Sequence, residues 1–293
     1  MSRSCPYCIS ESEISPASPR LVRFGSFRRK SDGRFISRFR CLNCKKTFSL
    51  ATTHSCFGQN KRQFNEPIRK LLCSGVSLRR TAMILNLSRT TVARKLIFLG
   101  ERARAQFDQA RSTKSYFHKI EFDDMETSEH TKCKPISITL AVESKTRQIL
   151  GYNLARMPAK GKLAKIALKK YGKRIDERSR KRRELFQKLS HIVDPQCEIR
   201  SDQNPHYPKD VCEYFPLARH ITFKGHRGCV VGQGELKRGG FDPLFSLNHT
   251  CAMLRANINR LFRRTWCTTK KIDRLADHIA LYVNFHNQLI LKK

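Results

Sequence analysis

Residues 119–142 read KIEFDDMETSEHTKCKPISITLAV, and this stretch decides the fold that the sequence predicts. Ile120 and Phe122 alternate with polar residues, which is the period of a half-buried strand. The strand runs into two adjacent carboxylates. We therefore expect Asp123 at a strand end, with the side chain of its neighbour Asp124 on the opposite face of the strand.

Further periodic stretches follow this strand. In chain order they are a strand at 136–142, a strand at 148–156, a basic helical region at 162–189, a strand at 198–201 that runs into Asp202, a short helix near 208–214, a strand at 217–223 and a helix from about 247. This order resembles that of ribonuclease H-like domains, which implies an α/β domain with a mixed five-stranded sheet and flanking helices. In such a sheet the strands of Asp123 and Asp202 are neighbours. The two carboxylates are then expected to lie close enough to share hard divalent cations.

The helix predicted from about residue 247 is expected to supply a third ligand. Its apolar residues recur at helical spacing and form a stripe, Leu247, Cys251, Leu254, Ile258 and Leu261. Asn248 is offset from that stripe, and Arg255 lies seven residues later on the same face as Asn248. An Asn carbonyl is a workable oxygen ligand, but it brings no charge and holds a metal more weakly than a carboxylate. Glu235, in a Gly-rich segment upstream, is the less favoured alternative because Asp242, seven residues beyond it, is not basic.

The chain is strongly basic, with 293 residues and a formal net charge of +35. Residues 1–116 carry 24 Lys and Arg against 6 Asp and Glu, and residues 117–293 carry 35 against 18. Such an excess indicates a polyanionic partner, since neutralising phosphates is its commonest use; a solubilising or ribosome-associated surface is the alternative. The basic block 162–189 is predicted to follow phosphates, and a merely solvated helix face is the alternative. No apolar run approaches the roughly 20 residues of a membrane span, so we expect no membrane partner.

Two CxxC pairs predict a metal site near the N-terminus. They are formed by Cys5 and Cys8 and, after 32 intervening residues, by Cys41 and Cys44. Each two-residue spacer lets both sulfurs turn toward one centre, so four thiolates can hold one Zn²⁺ tetrahedrally. Two alternating stretches flank an Asp-Gly turn pair between the knuckles, which predicts a zinc ribbon folded by its metal. A redox pair is the alternative.

Residues 77–99 predict a helix-turn-helix. Ser77 and Ser88 are suited to cap two short helices separated by the turn former Asn86. The second helix is expected in the major groove of DNA. The residues predicted to contact phosphates and base edges are Arg89, Thr90, Thr91, Arg94 and Lys95. A helical hairpin without a DNA contact is the alternative.

Together these motifs resemble those of bacterial insertion-sequence transposases of the DDE type, in the group with an N-terminal zinc ribbon and helix-turn-helix. The resemblance covers nearly the whole chain, through CPYC, CLNC, SLRRTAMILNLSRTTVARK, FDD, RSDQNPHYP and LNHTCAMLRANINRLFRRTW. It implies that Asp123 and Asp202 are the first two metal ligands and that Arg255 is the basic residue seven positions after the third. Most of the superfamily has Glu at that third position. This chain has Asn248, as some similar transposases do.

The resemblance implies an enzyme that cleaves and joins DNA strands at the ends of an insertion sequence, with catalytic Mg²⁺ or Mn²⁺ and structural Zn²⁺. Its expected partners are double-stranded DNA, as terminal inverted repeats and target, and at least one further copy of the chain. The expected location is the bacterial cytoplasm, at the nucleoid. We predict three parts: a zinc ribbon at 1–55, a helix-turn-helix domain and linker at 56–115, and a catalytic domain at 116–293. The alternatives are a DNA-binding regulator with an inactive ribonuclease H-like scaffold, and a ribonuclease H-like nuclease or resolvase.

Overall fold

The computed structural model of the chain describes residues 5–8, 20–30, 33–52, 54–112, 116–224, 242–262 and 264–290. The chain divides into two compact units, Met1–Asn65 and Glu66–Lys293. The helices of the predicted helix-turn-helix therefore belong to the same unit as the large sheet, and the proposed division into three parts stays a prediction. None of the helices in the described part of the chain combines the length and apolarity that crossing a bilayer requires.

The first unit contains a small antiparallel sheet of three strands, β1 (Leu21–Arg28), β2 (Phe35–Cys41) and β3 (Thr47–Ser49), in that order. The predicted hairpin is thereby confirmed, although the Asp of its turn pair lies outside the described residues. Within the described part of this unit, one hydrophobic cluster of buried residues forms from Cys5, Phe39, Cys41 and Phe48. A core of this size is too small to hold a fold by itself, so the unit depends on a further cross-link.

The second unit begins with three helices, α1 (Asn65–Leu72), α2 (Leu78–Ile84) and α3 (Arg89–Ser112). The side chain of Ser77 accepts a hydrogen bond from the backbone N–H of Arg80, and that of Ser88 accepts one from Thr91. Both predicted caps are therefore confirmed. Asn86 has a φ of +49°, in the left-handed region that Asn tolerates, and it makes the turn between α2 and α3.

The large sheet has five strands in the order β6-β5-β4-β7-β8. Their bounds are Phe117–Ser128 for β4, Pro135–Glu143 for β5, Ile149–Arg156 for β6, Val193–Asp202 for β7 and Arg219–Phe223 for β8. β4, β5 and β6 pair antiparallel, which confirms the predicted meander, whereas β7 pairs parallel to both β4 and β8. The sheet is therefore mixed, as predicted, and the name ribonuclease H-like stays a prediction.

Five more helices of the described chain flank this sheet: α4 (Leu163–Tyr171), α5 (Arg178–Leu189), α6 (Tyr207–Tyr214), α7 (Phe245–Asn257) and α8 (Ile272–Ile290). The basic region 162–189 is thus two helices, because Gly172 ends α4 with a φ of +72°. α5 and α6 pack on the face of the sheet that carries Phe122. Glu121, the preceding residue, points to the other face and contacts α7, so α7 lies on the side of the sheet opposite to α5 and α6.

The predicted DNA-binding helices pack against the C-terminal helix α8 within the second unit. A Cβ atom at Gly100 of α3 would lie 2.8 Å from the Cα of Asp277, so the absence of a side chain allows the two helices to approach closely. Arg104 forms an ion pair of 2.8 Å with the buried Asp277. His278, also buried, lies 2.9 Å from the carbonyl oxygen of Leu72 in α1. These contacts fix α1 and α3 to the sheet domain through α8.

Candidate active site and zinc cluster

Asp123 and Asp202 lie at the same level of two neighbouring parallel strands. Glu121 of β4 pairs with Arg200 of β7, an offset of 200 − 121 = 79 residues, and the offset from 123 to 202 is also 79. Asp123 and Asp202 each lie two residues after this pair, so their side chains point to the same face of the sheet. β7 ends at Asp202, whereas β4 continues to Ser128 along β5 alone. The expectation that Asp123 ends its strand was wrong, because β5 continues to pair with β4 after β7 has ended.

The environment of these two carboxylates disfavours ionisation of both. Burial and the neighbouring charge of Asp202 raise the pKa of Asp123 to about 7. Its Oδ1 accepts hydrogen bonds from the backbone N–H of Asp124 at 2.6 Å and from the hydroxyl of Tyr207 at 3.1 Å. Burial also raises the pKa of Asp202, whose Oδ1 accepts the backbone N–H of Asn204 at 3.1 Å. Paired oxygen ligands with unbalanced negative charge fit a hard divalent cation.

The side chain of Asp124 points away from this pair, although its charge also raises the pKa of both carboxyls. Its Oδ1 accepts a hydrogen bond from the hydroxyl of Thr139, and its Oδ2 lies 3.6 Å from the guanidinium of Arg182. Arg182 is the buried cation on α5, on the other side of the sheet. The prediction that Asp124 points to the opposite face from Asp123 is therefore confirmed.

Glu121 fixes the start of helix α7 beside the acid pair. It is 2% exposed, and its Oε2 accepts the backbone N–H of Leu247 at 2.9 Å while its Oε1 accepts the hydroxyl of Ser144 at 2.7 Å. A carboxylate at a helix N-terminus satisfies an N–H group that has no partner within the helix. Glu121 shares its strand face with Asp123. The sequence pattern indicated a half-exposed strand, so this buried role was missed.

Asn248 and Arg255 lie on α7, one and eight residues after the contact with Glu121. Asn248 is exposed, and its Nδ2 donates to Asp242 at 2.9 Å. Cys251, three residues later in the apolar stripe, has its pKa raised to about 12 by burial and by the charge of Asp123. The Cys251 turn of α7 therefore lies near Asp123, whereas the amide of Asn248 is directed to Asp242. Its role as third ligand stays a prediction, and Glu235 lies outside the described residues.

Tyr207 of α6 is a site residue that the sequence reasoning missed, although it lies within the RSDQNPHYP segment. Its side chain is fully buried, and its ring packs against Phe122 with centroids 4.8 Å apart. The guanidinium of Arg182 lies 4.9 Å from the centroid of the same ring and forms an ion pair with Asp210. The hydroxyl of Tyr207 donates to Asp123 and orients it. Tyr207 therefore connects this candidate metal ligand to the hydrophobic core that contains Phe122.

Arg182 and Asp210 form a buried ion pair under the site, with both side chains nearly inaccessible to solvent. The Nε of Arg182 donates to Asp210 at 2.7 Å, and Arg183 donates to the other carboxylate oxygen at 3.0 Å. Removing one partner of such a pair leaves an uncompensated buried charge, which is strongly destabilising.

We expect Asp210→Asn to lower the free energy of unfolding by about 3–5 kcal/mol, measured by urea denaturation of the full chain. Glu213→Gln is the matched control on the same helix: Glu213 also pairs with Arg183, at 3.7 Å, but its side chain is 45% exposed. This exposed pair is expected to contribute little to stability, because water screens the interaction between the two charges. Equal effects of the two substitutions would contradict the assignment.

The four predicted zinc ligands come together in the first unit. Their sulfur atoms all lie within 4.8 Å of one another, with 3.6 Å between Cys5 and Cys44 and 3.7 Å between Cys8 and Cys41. Four Zn–S bonds of about 2.3 Å in a tetrahedron place the sulfurs about 3.8 Å apart. The backbone N–H of Cys44 lowers the pKa of Cys41 to about 7, whereas burial raises the pKa of Cys5 and of Cys8. This four-cysteine cluster can bind zinc.

The predicted DNA-contacting residues of α3 do not all lie at the surface. Arg89, Thr90 and Arg94 are exposed and Thr91 is partly exposed, but Lys95 is only 4% exposed. Because Lys95 points into the helical core, its assignment as a DNA contact does not fit the structure. The candidate surface therefore consists of the other four residues.

Replacing Arg89 and Arg94 together by Ala is expected to weaken DNA binding by about 10- to 100-fold at physiological salt, because it removes two cations that can reach phosphates and base edges. Fluorescence anisotropy with a duplex carrying the DNA that flanks the gene measures this. The control pair Lys132→Ala and Lys271→Ala removes the same charge from exposed positions outside α3 and outside the basic block 162–189. An equal weakening of binding in the control would show that the loss reflects the total charge of the chain and not a specific DNA contact of α3.

Comparison with protein-family models and with curated proteins gave no match for this chain. The chemical assignment of the site rests on its own residues.

Proposed function

We propose that the chain is a metal-dependent DNA transposase, which cleaves strands at the ends of a mobile element and joins them to target DNA. The observation that carries this proposal is the equal offset of 79 residues that sets Asp123 level with Asp202. The strand order and the position of α7 beside Asp123 also support a ribonuclease H-like catalytic domain.

In this proposal Asp123 and Asp202 would hold divalent cations, with Asn248 as the third ligand. Bound Mg²⁺ or Mn²⁺ would supply an activated oxygen nucleophile and would stabilise the leaving oxygen at phosphorus. Tyr207 keeps Asp123 oriented through its hydroxyl, and Glu121 anchors the helix that carries Asn248. Arg255, two turns after Asn248, supplies a positive charge for the phosphate backbone of the DNA.

The charge of the chain supports a nucleic-acid substrate. A net charge of +35 neutralises phosphates and offsets their repulsion from an acidic metal centre. The exposed Arg89 and Arg94 of α3 would place duplex DNA on the same unit that contains the acid pair. Because α3 is packed tightly against α8, bound DNA would be held at a fixed position relative to the sheet.

The test is an incubation of the full chain with Mg²⁺ or Mn²⁺ and a plasmid carrying the DNA that flanks its gene. Nicks at defined positions together with joined products are the expected result. Nicks without joined products would favour a nuclease or resolvase. Binding of the flanking DNA without any cleavage in either metal would favour a regulator with an inactive scaffold, and would overturn the proposal.

A further inference from the structure

One face of the small sheet in the first unit carries exposed aromatic rings beside arginines. β1 is an edge strand, and residues paired directly across an antiparallel ladder point to the same face. Val22 pairs with Arg40 and Phe27 pairs with Ile36. Phe39 and Cys41, which alternate with these positions on β2, are buried on the other side. We call the first side the outer face; its residues are Val22, Phe24, Phe27, Ile36, Arg38 and Arg40.

A β-bulge aims Phe24 onto this outer face. The pairing passes from Arg23–Phe39 to Ser26–Ser37, so Phe24 and Gly25 together oppose Arg38 alone. Gly25 has a φ of +72°, which a side chain would disfavour, and it permits the bulge. The Phe24 ring centroid lies 5.5 Å from the guanidinium of Arg38 and 5.7 Å from that of Arg40. Both guanidinium groups therefore lie over the Phe24 ring and hold its orientation.

The apolar part of the outer face is exposed. Val22 is 39% exposed, Phe24 44% and Phe27 42%. The surrounding charge is almost wholly positive, because residues 20–40 contain eight Lys and Arg and a single Asp. Exposed aromatic rings interleaved with arginines match the two chemical parts of an unpaired nucleotide, its base and its phosphate.

We propose that the outer face binds single-stranded nucleic acid, with bases stacked on Phe24 and Phe27 and phosphates held by the flanking arginines. Duplex DNA presents phosphates and base edges, and it would leave both rings without a base to stack on. A second copy of the chain fits poorly because the edge strand is bulged and both copies carry a charge of +35. The site is separate from Asp123 and Asp202, so it goes beyond the proposed function and stands without it.

The test uses the full chain with zinc and a short oligothymidylate that carries one 2-aminopurine, whose fluorescence falls when the base stacks. We expect the double variant Phe24→Leu, Phe27→Leu to bind about 10-fold or more weakly and to lose most of the quenching, since leucine keeps the apolar bulk but offers no ring. Phe57→Leu is the matched control, because Phe57 is 60% exposed in the same unit and lies outside the sheet. Unchanged zinc content establishes that the double variant is folded.

Salt dependence separates stacking from charge. The double Leu variant should keep the wild-type slope of log affinity against log salt, whereas Arg38→Gln with Arg40→Gln should make it shallower by about 0.7 for each phosphate that the protein no longer neutralises. Wild-type affinity and quenching in the double Leu variant would overturn the proposal. So would an equal weakening of duplex binding, or a change in oligomeric state that reveals a protein interface. Asp123→Asn should bind the oligonucleotide normally, which separates this result from any failure of the proposed catalysis.

Discussion

Asp123→Asn and Asp202→Asn are each expected to lower metal-dependent DNA cleavage by about 10³-fold or more while leaving binding of the flanking duplex within about 2-fold. The physical reason is that metal ions contribute several kcal/mol to the stabilisation of the transition state, and each tenfold in rate corresponds to about 1.4 kcal/mol. The two side chains lie level on adjacent strands, so in the proposed site an amide at either position would remove one of two charged ligands from the same centre. Retained cleavage in either variant would remove the assignment.

Thermal stability distinguishes a missing ligand from a damaged fold. The pKa of Asp123 in the folded chain, about 7, lies above its ordinary value of 3.8. The folded state therefore favours the protonated carboxyl, so this group lowers the stability of the metal-free fold as the pH rises from about 4 to about 7, where only the unfolded chain is ionised, and the loss is complete above 7. Asp123→Asn cannot ionise, so at pH 8 without metal it is expected to raise Tm by a few degrees, measured by calorimetry.

Asp194→Asn is the control for that measurement, because Asp194 lies on β7 eight residues before Asp202 and is partly exposed. Its substitution is expected to leave Tm nearly unchanged. Addition of Mg²⁺ should raise the Tm of the wild type and of Asp194→Asn, but not of Asp123→Asn, since only a ligand that binds the folded state stabilises it. A fall in the metal-free Tm of Asp123→Asn would show that the fold itself needs the charge.

Removing zinc is expected to unfold the first unit and leave the second intact. Structural zinc contributes about 10–16 kcal/mol of apparent binding free energy in small zinc modules. The hydrophobic cluster in the described part of the first unit has four buried residues, two of them cysteines of the metal cluster, and it cannot replace that contribution. Treatment with a strong chelator should release one zinc ion per chain and expose residues 20–50 to proteolysis. Cleavage within residues 116–224 should not increase.

Cys41→Ser should reproduce the effect of the chelator, and Cys212→Ser is its matched control because Cys212 is an exposed thiol on α6, outside the cluster. Metal analysis of the purified chain is the direct measurement. Absence of zinc from a folded first unit, or equal protease resistance of Cys41→Ser and wild type, would contradict a structural zinc site.

Local patterns predicted the elements that depend on local physics. Apolar and polar residues alternate in residues 119–156, and this alternation is the pattern of strands with one buried face. It therefore predicted the antiparallel meander. Ser77 and Ser88 were recognised as caps because their side chains bond to backbone groups three residues away. The CxxC spacing likewise placed two sulfurs of each knuckle near one point.

Lys95 and Glu121 show where such patterns fail. Both are charged residues that a local pattern places on the surface, yet they are 4% and 2% exposed. Glu121 is buried because helix α7, 126 residues later, brings the N–H of Leu247 to its carboxylate. A buried charge is stable only when such partners satisfy it, and no window of neighbouring residues contains them.

The sequence by itself determined the four-cysteine cluster, the capped helices, the three-stranded meander and the two acids that lie 79 residues apart. Only the tertiary structure decided that β4 runs on past Asp123, that Tyr207 donates to Asp123 and that Arg182 meets Asp210 across 28 residues. The physical reason is the separation along the sequence between the groups that interact. Helix caps, strand alternation and CxxC knuckles involve groups that are only a few residues apart. Register, burial of charge and the orientation of a carboxylate depend on partners that meet only after the chain has folded.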